Sequence, residues 1–243
     1  MSDNSEVTPV RPAHVFNESN LYQYMQENVD GFKGPLTVSQ FEGGQSNPTF
    51  LLHTPDQEYV MRKKPPGVLL PSAHAVDREY RIMSALQDTD VPVAKTYTLC
   101  EDDDIIGTPF YIMEKVEGRI LRKPELPGME ADERAAIYDA MNDTLAKMHN
   151  VNIEAAGLSD FGKQGNYFER QIGRWTKQYR ASETEEVPTM EKLIEWLPEN
   201  MPKHLENTIC HGDYRLENMI IHPTKPEVVA VLDWELCTWT SFG

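Results

Sequence analysis

The chain changes its secondary-structure pattern near residue 115, and this change restricts the fold more than any other feature. Before that point, short segments rich in β-branched and aromatic residues alternate with turns, which is typical of strands. Five strands are predicted there: two within 36–54 and one each within 58–64, 92–100 and 109–114. A helix is expected at 18–29, and a second at 72–87 with Ser72 as its N-cap.

After Gly118 the pattern becomes helical. Three stretches carry apolar residues at helical spacing, within 131–149, 166–180 and 190–197. Two short strands follow, within 218–221 and 228–234. The order predicts an α+β fold with two lobes, a small antiparallel sheet lobe and a mainly helical lobe. We expect a flexible arm at 1–15, an N-terminal nucleotide-binding lobe at 16–115 and a C-terminal catalytic lobe at 116–243.

Charge and composition exclude several classes of partner. The 23 Lys and Arg residues against 39 Asp and Glu give a net charge of −16, which argues against nucleic acid or an anionic membrane surface as the main partner. No stretch approaches the roughly 20 apolar residues of a transmembrane helix, so no membrane span is expected. The start, "MSDNSEV", does not resemble a signal peptide, and the three cysteines form no paired framework. We therefore expect a cytoplasmic location.

A glycine-rich segment lies between the first two sheet strands. In "EGGQSN", residues 42–47, the glycines allow backbone N–H groups to approach phosphate oxygens. A tight turn explains the same residues, and the segment alone does not choose between the two. It is not a Walker A loop, because no Gly-Lys-Ser/Thr ending is present.

A cation and a carboxylate are expected to pair inside the first lobe. Strand alternation in "YVMRK" puts Val60 and Arg62 on one face. In the following helix, Glu79 occupies the middle of an apolar stripe, where an unpaired carboxylate would be unfavourable. Arg62 is the nearest candidate partner, although an exposed edge-strand charge remains the alternative for this residue.

Polar residues gather around the last two strands. "HGDYRLEN" contains His211, Asp213 and Asn218, and Asp233 ends the apolar segment "VVAVLDW". Carboxylate and carboxamide oxygens are ligands suited to Mg²⁺. A polar turn for the first segment and a strand-end cap for Asp233 are the simpler alternatives.

The order of these motifs resembles a known family. His-x-Asp followed by Asn and then a strand-end Asp resembles the catalytic and metal loops of eukaryotic-like kinases. The variants His-Gly-Asp and Asp-Trp-Glu resemble the aminoglycoside phosphotransferase-like and choline kinase-like branch. From about residue 35 to 236, longer stretches resemble the phosphotransferase domain that occurs alone in bacteria and fused to acyl-CoA dehydrogenase in animals. These stretches are "GGQSNPTFLL", "RKKPPGVLLPSAH", "GTPFYIME", "QYRASET", "LIEWLP" and "AVLDWEL".

The resemblance implies a protein kinase-like fold that uses Mg²⁺ and ATP. In it, Asp213 acts on the acceptor hydroxyl, Arg215 approaches the transferred phosphate, and Asn218 with Asp233 holds the metal, whereas His211 is a structural loop residue. It also implies that C-terminal helices of the helical lobe are missing from this sequence, leaving that lobe truncated. The nucleotide-binding residues it implies are Gly43, Gly44, Gln45, Ser46, Asn47, Val60, Arg62, Glu79, Met113, Glu114 and Val116.

The predicted function is a Mg-ATP-dependent phosphotransferase that acts on a small-molecule hydroxyl group. Within the resembled subgroup the implied acceptor is a hydroxyacyl-CoA. Arg170, Arg174 and Lys177 fall on one side of a predicted helix and would suit CoA phosphates, although a solvated basic face explains them too. Two other functions stay open: an aminoglycoside or amino-alcohol kinase, since an acidic protein suits a cationic substrate, and a non-catalytic nucleotide-binding fragment.

Overall fold

The structure of the protein, a computed structural model, describes residues 7–42, 47–65, 75–162, 167–201 and 206–242. The strands in these ranges are β1 (Val7–Thr8), β2 (Thr37–Phe41), β3 (Thr49–His53), β4 (Glu58–Lys63), β5 (Thr96–Cys100), β6 (Phe110–Glu114), β7 (Glu206–Cys210), β8 (Met219–Ile221), β9 (Val228–Val231) and β10 (Thr238–Phe242). The helices are α1 (Glu18–Asn28), α2 (Val76–Leu86), α3 (Asp103–Ile106), α4 (Ala131–His149), α5 (Tyr167–Ser182) and α6 (Pro188–Glu199).

The chain divides into two compact units. One contains Met1–Lys147 with His211–Cys237, and the other contains Met148–Cys210 with Thr238–Gly243. This division differs from the lobe boundary expected at 115–116, because the segment after His211 packs with the sheet-bearing part of the chain. Within the first unit, for example, the N–H of Val231 donates to the carbonyl oxygen of Pro92 at 2.9 Å.

A six-stranded sheet forms the centre of the first unit, in the order β1-β2-β3-β4-β6-β5. Every neighbouring pair is antiparallel, which confirms the predicted sheet. Strand alternation sends one side of β3, β4 and β6 into a core that helix α1 covers with Leu21 and Met25. The strand residues of this core are Phe50, Leu52, Tyr59, Met61, Phe110 and Ile112.

Residues 7–14 have defined positions within the stretch expected to be a flexible arm. Val7 and Thr8 pair with Phe41 and Gln40 at the edge of the sheet. The buried Gln40 side chain also accepts a hydrogen bond from the N–H of Arg11 at 3.0 Å and contacts the His14 ring at 2.7 Å. A two-residue strand held by one glutamine leaves too little pattern in the sequence to be predicted.

Helix α2 begins at Val76, with Ala75 in the N-cap position. The sequence predicted a start at Ser72, which lies outside the described residues. The expected buried face is present, and Val76, Glu79, Met83 and Leu86 are all buried on it. The amphipathic spacing correctly predicted the buried face of the helix. The cap residues did not predict its first residue.

The segment 101–108, between β5 and β6, contains the short helix α3, which the sequence did not predict. The Asp102 side chain caps it by accepting from the N–H of Asp104, and Gly107 ends it at φ +85°. Its apolar residue Ile106 is buried in the sheet core. One buried isoleucine was too weak a signal against the run of acidic residues around it.

The first unit is completed by the hairpin of β8 and β9. Its strand residues Met219 and Ile221 pack with Ile137 of α4 and with Leu126 and Leu216. This second apolar cluster includes Leu216 of the loop 211–218, so the loop is anchored by a buried side chain.

The second unit contains α5, α6 and the antiparallel pair of β7 and β10. Arg180 of α5 forms an ion pair with Glu191 of α6. The apolar stripe predicted on α5 is half-buried at Phe168, Ile172 and Tyr179, but Trp175 is 61% exposed. None of the described helices is both long and apolar enough to cross a membrane.

Candidate active site

The predicted pair of Arg62 and Glu79 is present in the first unit. Nε of Arg62 lies 3.2 Å from Oε2 of Glu79, and both side chains are almost completely buried. Burial raises the pKa of Glu79 to about 7, although the Arg62 charge acts in the opposite direction. Burial would by itself lower the pKa of Arg62, but the nearby carboxylates raise it, so the guanidinium stays charged.

Arg62 also contacts two carboxylates that follow β9. Its Nη2 donates to Oδ1 of Asp233 at 2.6 Å and lies 3.9 Å from Oε2 of Glu235. From the sequence, Asp233 is expected to hold a metal, but its contact with Arg62 and the position of Glu235 are not predicted. The acidic third residue of Asp-Trp-Glu was the available signal.

Asp233 has a backbone conformation that favours glycine. Its φ of 65° and ψ of 57° lie in the left-handed region, which few non-glycine residues occupy. Strain of this kind persists where the surroundings hold a residue in a functional orientation. The next residue, Trp234, is buried, and its indole N–H donates to the carbonyl oxygen of Val231 at 2.9 Å. This hydrogen bond joins the residues before and after Asp233.

His211 is a structural residue of the loop. Its Nε2 lies 2.8 Å from the carbonyl oxygen of Leu232, and its Nδ1 accepts from the N–H of Asp213 at 3.3 Å. The ring also packs on Trp234 with a centroid distance of 4.7 Å. Burial lowers the pKa of His211, which favours the neutral ring with its hydrogen on Nε2. The histidine therefore ties the loop to the end of β9.

Gly212 allows the loop to lie against the turn after β9. Its φ is +87°, and a Cβ added there would lie 2.7 Å from the carbonyl oxygen of Leu236. Both the backbone conformation and the close approach require glycine. The His-Gly-Asp motif is thus explained by packing at its second position.

Asp213, Arg215 and Asn218 lie together in the loop. The amide of Asn218 donates to both the backbone oxygen and Oδ2 of Asp213, each at 2.9 Å. Nε of Arg215 lies 3.3 Å from the same Oδ2. The Asp213 carboxylate is about one-third exposed, so it is oriented by its neighbours and still open to a ligand.

The oxygen-bearing residues fit a divalent cation. The backbone carbonyl oxygen of Asn218 accepts from the N–H of Leu232 at 2.8 Å, which joins this segment to the residue before Asp233. Around Arg62, three carboxylates face one guanidinium, leaving an excess of negative charge. In addition, Oε1 of Glu79 and Oδ1 of Asn47 are buried and make no hydrogen bond in the described part of the chain. No group of three or more His, Cys, Asp or Glu side chains arranged for a metal occurs among the described residues, so further ligands would be water or phosphate.

The remaining predicted nucleotide residues are placed only in part. Gly43, Gly44, Gln45 and Ser46 lie outside the described residues. Asn47 is buried, and its amide donates to Oε2 of Glu235 at 3.3 Å. Val60 pairs with Met113 across β4 and β6, and Glu114 ends β6, with the half-buried Val116 two residues beyond it.

A family model matches the part of the chain that contains this sheet and these loops. The model of the phosphotransferase enzyme family (APH) matches residues 37–242, which is most of the chain. The chain belongs to this family. The resemblance inferred from the motifs is confirmed.

Curated relatives of this phosphotransferase-family chain are longer proteins. Acyl-CoA dehydrogenase family member 10 from Mus musculus is 51% identical over 231 residues, covering 95% of this chain and 22% of that protein. Acyl-CoA dehydrogenase family member 11 from Homo sapiens is 44% identical over 239 residues, covering 96% and 31%. The chain therefore spans less than a third of the length of these relatives.

Solved structures share the fold. A "putative aminoglycoside phosphotransferase" from Ralstonia eutropha has 56% sequence identity and a TM-score of 0.84, covering 93% of this chain and 67% of that one. Macrolide 2'-phosphotransferase MphH from Brachybacterium faecium has 18% identity and a TM-score of 0.63, covering 92% and 73%. The predicted kinase-like α+β fold class is confirmed.

Proposed function

We propose that this chain transfers the γ-phosphoryl group of ATP to a hydroxyl group of a small molecule. The observation that carries the proposal is the position of Arg62 between the buried Glu79 and Asp233. A buried cation held by two carboxylates from distant parts of the chain is an unfavourable way to stabilise a fold. It is a suitable way to hold a guanidinium ready for phosphate.

Asp213 is the proposed base. Asn218 and Arg215 hold its carboxylate, which would accept a hydrogen bond from the acceptor hydroxyl. The acceptor oxygen forms a bond to the γ-phosphorus as its proton passes to Asp213. The bond between that phosphorus and the β,γ-bridging oxygen breaks, and ADP leaves with the electron pair.

The other residues bind and neutralise the nucleotide. Arg62 would contact the phosphates, with Glu79 holding it in position, and Arg215 would approach the transferred group. Asn218 and Asp233 would hold Mg²⁺, which neutralises charge on the phosphate oxygens. We assign the phosphate-covering role to Gly43, Gly44, Gln45, Ser46 and Asn47, and the adenine side to Val60, Met113, Glu114 and Val116.

For the acceptor we propose a hydroxyacyl-CoA. Two longer relatives that contain a similar segment are named as acyl-CoA dehydrogenase family members. Their names therefore refer to acyl-CoA substrates. Helix α5 exposes Arg170, Arg174 and Lys177, and cations of this kind suit the phosphates of CoA. A cytoplasmic location is part of the same proposal.

A second candidate acceptor is an aminoglycoside or another amino alcohol. The net charge of −16 favours a cationic substrate. One solved structure with this fold is a ternary complex of APH(4)-Ia with AMP-PNP and hygromycin B, but at 14% identity it supports the fold alone.

An ATP-consumption assay with separate acceptor classes tests the proposal. We expect turnover with Mg-ATP and a hydroxyacyl-CoA, and none with Asp213→Asn. Turnover with aminoglycosides or choline-like alcohols instead would select the second candidate. Nucleotide binding without turnover on any acceptor would select the non-catalytic alternative.

A further inference from the structure

The end of the glycine-rich segment contacts the turn that follows β9. Asn47 comes directly after residues 43–46, and its side-chain Nδ2 donates to Oε2 of Glu235 at 3.3 Å. The two residues are 188 positions apart in the sequence. Asn47 is completely buried, and the Glu235 side chain is 19% exposed.

Glu235 is held from a second side by Arg62, whose Nη2 lies 3.9 Å from the same Oε2. This carboxylate can only accept hydrogen bonds, so it fixes which end of the Asn47 amide faces it. The side-chain oxygen Oδ1 of Asn47 is left without a hydrogen-bond partner in the described part of the chain. A buried acceptor of this kind needs a donor from outside the described residues or from a ligand.

A purely structural role does not explain an acid at position 235. Glu79 and Asp233 already surround Arg62, and a third carboxylate adds repulsion to a buried cluster. A neutral side chain would give a more stable cluster in the protein without ligand. The side chain at position 235 is therefore better explained by its contact with Asn47 than by stabilisation of the Arg62 cluster.

We propose that Glu235 is a positioning residue that holds Asn47 against the Asp233 turn. This inference rests on the proposed nucleotide site. Glu235 acts through Asn47 and need not touch the metal or the nucleotide. Its removal should weaken nucleotide binding to the same extent as removal of Asn47.

A double-mutant cycle tests the coupling. In titration calorimetry with Mg²⁺ and AMP-PNP, Asn47→Ala and Glu235→Ala should each raise Kd about fivefold to tenfold, the equivalent of one hydrogen bond. The double variant should be no weaker than either single variant. Glu235→Gln, which can still accept from Asn47, should recover most of the affinity.

Glu227→Ala is the matched control. Glu227 is an exposed acid of the same unit that pairs with Lys225 at 3.7 Å. Its Kd for AMP-PNP should equal that of the unchanged protein. If the unchanged protein binds AMP-PNP, an unchanged Kd in both Asn47→Ala and Glu235→Ala would overturn the proposal. Losses that add up in the double variant would overturn it too.

A measurement without nucleotide separates this inference from the proposed function. The Asn47 side-chain NH₂ resonance of ¹⁵N-labelled protein, assigned by its loss in Asn47→Ala, should shift and exchange faster with water in Glu235→Ala. If the unchanged protein binds no nucleotide but this shift occurs, the proposed function falls and the Asn47–Glu235 contact stands. An unshifted resonance would overturn the contact. Should Glu235→Ala fail to fold, Glu235→Leu, which fills a similar volume without a hydrogen-bond acceptor, replaces it in both measurements.

Discussion

Nη2 of Arg62 lies 2.6 Å from Oδ1 of Asp233, so the cation assigned to phosphate contacts the carboxylate assigned to metal. Both groups would change partners when a Mg–nucleotide complex binds. Until then each neutralises part of the other's charge, and Glu79 holds the guanidinium from the other side. Glu79 thus keeps the guanidinium in place while its contact with Asp233 is exchanged for phosphate.

The two contacts of Arg62 predict a non-additive pair of mutations. Arg62→Ala and Glu79→Gln should each weaken ATP binding about tenfold or more, because removal of one buried partner leaves the other unpaired. The double variant should be little worse than either single one, as measured by KM for ATP or by titration. Simple additivity of the two losses would remove the ion pair from the mechanism.

Arg62→Lys should behave more like Arg62→Ala than like the unchanged protein. The guanidinium reaches Glu79 through Nε and Asp233 through Nη2, and one ammonium group cannot reproduce that fork. ATP affinity is the measurement, with Lys225→Arg, an exposed cation change, as the control. Full affinity in Arg62→Lys would mean that only the charge matters.

Asp213→Asn should abolish phosphoryl transfer and leave nucleotide binding nearly unchanged. The asparagine oxygen can still accept from the amide of Asn218, so the loop should keep its conformation while losing its base. We expect a fall in kcat of about 10²-fold to 10⁴-fold. Calorimetry with AMP-PNP checks binding in the same sample, and substantial remaining turnover would exclude Asp213 as the base.

The sequence predicted the Arg62–Glu79 pair because two periodicities point the residues at each other. Strand alternation placed Arg62 opposite the sheet core, and helical spacing placed Glu79 on a buried face. The contact of Arg62 with Asp233 joins residues 171 positions apart and depends on the left-handed turn at Asp233, for which no local pattern exists. The contact of Glu235 with Asn47 was not predicted for the same reason. Sequence periodicity orients single elements, but it does not position one loop against another.

Gly212→Ala should destabilise the protein by about 2–4 kcal/mol, since its Cβ would lie 2.7 Å from the Leu236 carbonyl oxygen at a positive φ. Gly128→Ala is the matched control, because Gly128 also has a positive φ, +82°, but nothing lies within 4 Å of its added Cβ. The control should lose only the backbone contribution of about 1 kcal/mol. Urea unfolding of both variants gives the difference, and equal losses would show that the close approach to Leu236 has no energetic weight.

The buried Glu79 predicts a pH dependence of stability. Its pKa rises from 4.5 to about 7 on folding, chiefly because burial disfavours the charged carboxylate. A raised folded-state pKa gives stability that is fully present below about pH 4.5 and is lost as pH rises through about 7.

The comparison of the unchanged protein with Glu79→Gln at pH 5 and pH 8 isolates this group, because glutamine does not titrate. The free energy of unfolding of the unchanged protein, minus that of the variant, should fall by roughly 1–3 kcal/mol between the two pH values. Arg62 stays charged throughout, since its carboxylate neighbours raise its pKa. A difference that stays constant or grows with pH would mean that Arg62 compensates the burial of Glu79 completely, and that the carboxylate is ionised at every pH tested.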